Sequence, residues 1–81
     1  MQVRYDSEAD AIFLRLRPAD GGEAGGRRLD DTRIAHLDHS GRVFAYEFLF
    51  VSRGVSLEGI GSDDVALIRE TLRPVSRLAV A

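Results

Sequence analysis

The chain has 81 residues, of which 11 are basic and 13 acidic, for a formal net charge of −2; hydrophobic residues make up 44% and charged residues 30%. These values exclude wholesale disorder and leave room for one domain, residues 1–81, which buries only about 60 to 70% of the surface its unfolded form exposes. Cysteine is absent, which excludes a disulfide framework, a thiolate metal site and a thiol nucleophile.

The first residues alternate in the manner of a strand, and no apolar run approaches the roughly 20 residues that span a bilayer. The expected setting is the cytoplasm, with no membrane contact. Every basic residue is Arg, a choice that suits bidentate phosphate or carboxylate contacts but is explained more simply by GC-rich coding. The acidic balance and the brevity of Arg27-Arg28 argue against nucleic acid as a partner.

In chain order, Gln2 to Asp6 and Asp10 to Arg17 alternate with period two and predict two strands. A loop over Ser7 to Asp10 joins them as a hairpin in which Asp6 faces Ala11, Tyr5 faces Ile12, Arg4 faces Phe13 and Val3 faces Leu14. Pro18 ends the second strand. Residues 18–26, with two Gly pairs, predict a mobile connector rather than a phosphate cradle, since no Gly-Lys-Ser/Thr is present.

Residues 27–38 and 42–51 predict a second hairpin around His39-Ser40-Gly41, with Asp38 opening a type I turn and Gly41 closing it in a bulge. An unbroken register would place Asp38 opposite Arg42, Leu37 opposite Val43, His36 opposite Phe44, Ala35 opposite Ala45, Ile34 opposite Tyr46 and Arg33 opposite Glu47. Residues 55–60 form a short extended piece along an edge or in a crossover. Ser62 as N-cap, Asp63 and Asp64 in the first turn and Val65, Ile68 and Leu72 at helical spacing predict a helix over 63–73 that Pro74 ends. The apolar tail 75–81 predicts packing on an edge or a partner.

The expected fold is therefore α+β: an antiparallel sheet of two successive hairpins with one C-terminal helix packed on one face. In the last strand Phe44, Tyr46, Phe48 and Phe50 fall on one side, and Val43, Ala45, Leu49 and Val51, with Glu47 among them, on the other. One helix covers one side of such a sheet, so the second apolar side predicts a homodimer or a protein partner.

The run Tyr5-Asp6-x-x-x-Asp10, a strand and loop, then Leu37-Asp38-x-x-Gly41-Arg42-Val43 and a strand carrying Glu47, resembles the domain-of-unknown-function family numbered 2283. That is a group of small bacterial and archaeal proteins, and the resemblance rests on short motifs within about residues 1–52. The chain carries His36 where the family pattern has Asp, and Ala45 where it has the Gly two residues before Glu. The resemblance implies no activity; some members look like halves of two-protein toxin and antitoxin modules.

Asp6, Asp10, Asp38 and Glu47 are hard oxygen donors or an acid and base set if they converge, which is the enzyme reading: a small-ligand or metal-dependent site on Asp6, Asp10 and Asp38. Turn bonds for the three Asp residues and an ion pair of Glu47 with Arg33 explain them as well. His36 is expected beside Phe44 and His39 in solvent, which separates them as metal ligands. No Ser lies in a nucleophile elbow. The reading that follows is a binding module without catalytic, cofactor or metal residues, its apolar face rimmed by Arg15, Arg17, Arg33 and Glu47.

Overall fold

A computed structural model describes residues 2–74. Five strands, β1 (Gln2–Asp6), β2 (Ala11–Arg15), β3 (Glu23–Asp30), β4 (Arg33–Asp38) and β5 (Val43–Leu49), are followed by a 3-10 turn at Val51–Arg53 and a helix, α1 (Ser62–Leu72). The strands form one antiparallel sheet in the order β1-β2-β5-β4-β3. The tail expected to pack, residues 75–81, lies outside the described residues.

The first hairpin has the predicted register throughout, from Gln2 opposite Arg15 to Asp6 opposite Ala11. The connector does not. Glu23 to Gly26 belong to an edge strand, β3, and the run 27–38 is broken at Asp31 and Thr32 into two strands. Asp30 makes that break: its Oδ1 accepts from the amide and hydroxyl of Thr32 at 3.0 and 3.1 Å, closing a tight turn. The sheet therefore has one strand more than two hairpins provide. Pairing of β2 with β5 sends the chain from β2 past the ends of β5 and β4 to the far edge, a Greek-key path. That path is pinned where it passes the β4–β5 turn, because the Asp20 amide donates to Asp38 Oδ2 at 3.1 Å and the His39 amide to the Asp20 carbonyl at 3.1 Å.

The β4–β5 turn has the predicted form. The Gly41 amide donates to the Asp38 carbonyl, the Asp38 amide to the Arg42 carbonyl, and Gly41 has φ +85°. Two residues later the predicted register fails, because Leu37 pairs with Val43 but His36 pairs with Ala45, leaving Phe44 as an extra residue. This bulge shifts every later pair by one: Ala35 faces Tyr46, Ile34 faces Glu47 and Arg33 faces Phe48. It also ends the simple alternation of β5, since Val43 packs against the core while Phe44 lies beside His36. After the strand a second reversal occurs at Phe50, whose φ of +55° leaves its own ring exposed and turns Val51 into the core.

One side of the sheet carries the core. Ile12, Leu14 and Leu16 from β2 and its extension, Ala35 from β4, and Tyr46 and Phe48 from β5 meet Val51, Val55, Leu57, Ile68 and Leu72. The helix begins at Ser62 and ends at Leu72, with Gly61 in the N-cap position and no side-chain cap, so Ser62 does not cap it; Asp63 and Asp64 occupy the first turn as expected. Arg17 ties the helix down, bonding the Val43 carbonyl and, at 2.5 Å, Asp64 Oδ1. Arg33, 7% exposed, bonds the Ser56 and Glu58 carbonyls and so holds the segment carrying Val55 and Leu57 over the same side. Among the described residues no helix is long and apolar enough to cross a membrane.

Candidate functional site on the open sheet face

The side of the sheet away from the core is not the bare apolar surface that alternation predicts. Ala45 and Phe44 form its floor, and both are buried although, among the described residues, no helix covers them. Charged side chains lie over the aromatics instead: the Arg4 guanidinium sits 5.1 Å from the centre of the Phe13 ring and that of Arg15 sits 6.0 Å from the centre of Phe44. Such stacking keeps the cation at the surface while its aliphatic stem covers carbon.

His36 is the centre of the arrangement. Its ring meets Phe13 edge-on at 5.3 Å and Phe44 at 6.4 Å. Nδ1 lies 3.1 Å from Glu23 Oε2 and Nε2 lies 3.2 Å from Glu47 Oε1. Both nitrogens donate at once only when the ring carries both protons. The β5 bulge makes this clamp: by setting Glu47 opposite Ile34, it places Glu47 diagonally beside His36 rather than opposite Arg33. The predicted Glu47–Arg33 pair is thus replaced by Glu47–His36, and Arg33 pairs with Asp30 at 2.9 Å. Arg15 belongs to the open face; Arg17 and Arg33, expected on its rim, serve the core side.

The carboxylates proposed for an enzyme do not converge. Asp6 Oδ1 accepts from the amides of Glu8 and Ala9 at 3.0 and 3.1 Å in the β1–β2 turn. Asp10, at φ +53°, bonds the amide and hydroxyl of Ser52 at 2.9 and 2.6 Å. Asp38 sits at the other end of β5, roughly 20 Å away by strand length, with Oδ1 taking the Ser40 hydroxyl at 2.6 Å and the amides of Ser40 and Arg42. The Ser40 hydroxyl, reinforced by the Asp20, Arg42 and Ser40 amides, lowers the Asp38 pKa from 3.8 to about 2. Among the described residues no group of three His, Asp or Glu side chains is placed to hold a metal ion.

Sequence reasoning missed Glu23 and Arg4 as members of this face. Glu23 was hidden by the glycines that follow it, which read as connector; Arg4 was legible from its cross-strand position opposite Phe13. A shallow depression beside the clamp, lined by Arg4, Asp6, Phe13 and Glu47 among others, continues the face toward the β1–β2 turn. The arrangement offers aromatic carbon with fixed charges of both signs. Comparison of the chain with protein-family models, curated proteins and solved structures found no match.

Proposed function

We propose that this protein is a small interaction module of the cytoplasm whose open sheet face binds a protein partner. The observation that carries the reading is the layer of Arg4, Arg15 and His36 packed on Phe13 and Phe44, with Glu47 beside His36 at 3.2 Å. Arg and aromatic side chains are the types enriched where protein interfaces carry their binding energy, and charges already laid over carbon surrender less freedom on binding. The resemblance to the family numbered 2283 supports a setting as one half of a two-protein module of the toxin and antitoxin kind.

The test is affinity capture from cells of the source organism with wild-type protein, Arg15→Glu on the face and Arg69→Glu on the exposed side of α1. One protein retained in near-stoichiometric amount by wild type and Arg69→Glu, and lost from Arg15→Glu, is expected. Equal retention by all three forms, or no retained protein, overturns the proposal.

A further inference from the structure

The sheet has two edges, and they differ. On β3 the pairing with β4 shifts between Glu23 and Gly25 and again between Arg28 and Asp30. Two irregularities, paired glycines and adjacent Arg27 and Arg28 make that edge a poor template for another strand. On β1 the register runs without a shift from Gln2 to Asp6, and the strand contains neither Gly nor Pro. All five of its residues are exposed, including Val3 at 38% and Tyr5 at 46%. Among the described residues this edge carries charges at Arg4 and Asp6 but no bulge, Gly or Pro.

The backbone phase of β1 follows from its neighbours. The Leu16 amide donates to the Phe44 carbonyl, so even-numbered residues of β2 direct their backbone groups toward β5 and Ala11, Phe13 and Arg15 direct theirs toward β1. The partners of those three are Asp6, Arg4 and Gln2. It follows that the amides and carbonyls of Val3 and Tyr5 point away from the sheet.

We infer that β1 is the self-association edge, where a second copy of the chain adds its own β1 antiparallel across a two-fold axis at Tyr5. In this register Tyr5 meets the partner's Tyr5, Val3 meets the partner's Ser7, and Arg4 meets the partner's Asp6. The outward backbone groups of Tyr5 pair reciprocally, and the two Arg–Asp pairs attract. An axis at Arg4 would oppose two Arg residues and use backbone groups already bonded to β2. One at Val3 would set Gln2 against Arg4 and form no charge pair. Charge and hydrogen-bond phase therefore select the same register. The result is a continuous sheet of two copies with both helices on one side and both open faces on the other.

Sedimentation equilibrium over a micromolar concentration series tests the inference, since the protomer mass is 8.9 kDa. Wild type should move reversibly toward twice that mass. Val3→Pro removes an outward amide without removing a bond to β2, and it should remain monomeric with an unchanged circular dichroism spectrum. Arg4→Asp, facing the partner's Asp6, should raise the dimer dissociation constant by about tenfold. A wild-type protein monomeric throughout, or dimers that survive both substitutions, overturns the inference. Loss of the dimer in Arg15→Glu with retention in Arg4→Asp also overturns it, in favour of association through the face.

Discussion

Arg33 and Asp30 are joined across the β3–β4 turn, with Nε and Nη2 of the guanidinium converging on the one carboxylate oxygen Oδ2 at 3.0 and 2.9 Å. The same guanidinium reaches the Ser56 and Glu58 carbonyls through Nη1. One buried cation thus joins a turn at the sheet edge to the segment that carries Val55 and Leu57 into the core.

Arg33→Ala should therefore lower unfolding stability by about 2 kcal/mol, the scale of hydrogen bonds to a charged donor, and Arg33→Lys should recover only part of it because an ammonium lacks the planar fork. Urea denaturation measures both. Equal stability of all three proteins would show that the clamp is redundant with the apolar contacts of Val55 and Leu57.

Acid should weaken the protein through two turns. The Arg33 side-chain bond, with the Thr32 amide, lowers the Asp30 pKa from 3.8 to about 2, as the Ser40 bond does for Asp38. A carboxylate depressed in the folded state contributes stability that is complete above its unfolded value of 3.8 and is lost as pH falls through about 2. Asp38→Asn should therefore be less stable than wild type at neutral pH, and the gap should close across that acid window. Thermal melts across the series give the result; a gap constant with pH would mean that charge on Asp38 is irrelevant to the turn.

Gly41→Val should cost about 1 kcal/mol or more, because it places a β-branched residue at a positive φ. Gly41 has φ +85° and a Cβ there meets nothing within 4 Å, so the penalty is conformational and not steric crowding with neighbours. Chemical denaturation reports it as a lower midpoint with an unchanged slope.

Titration calorimetry with Mg²⁺, Ca²⁺, Mn²⁺ and Zn²⁺ should show no saturable binding in the micromolar range, since Asp6 and Asp10 are bonded at one end of the sheet and Asp38 at the other. Stoichiometric binding abolished by Asp6→Asn together with Asp10→Asn would restore the metal-dependent reading.

Local order set what the sequence alone determined. The β1–β2 register, the Asp38 to Gly41 turn and the approximate span of α1 depend on side-chain periodicity and on turn chemistry confined to a few residues, and all are found in the structure. Other features needed the whole sheet. Whether Glu23 to Gly26 form a strand depends on having β4 alongside, because glycines carry little preference of their own and only cross-strand bonds order them. The extra residue at Phe44 is decided by packing: Val43 joins the core and the Phe44 ring joins His36, an outcome that alternation within one strand cannot express. That single bulge moved Glu47 from Arg33 to His36 and released Arg33 for Asp30 and the crossing segment. Phe13, Arg15, His36, Phe44 and Glu47 were therefore visible one by one in the sequence, Glu23 was not, and their assembly around His36 was a property of the tertiary register, because a one-residue shift between strands changes every partner without changing any local propensity.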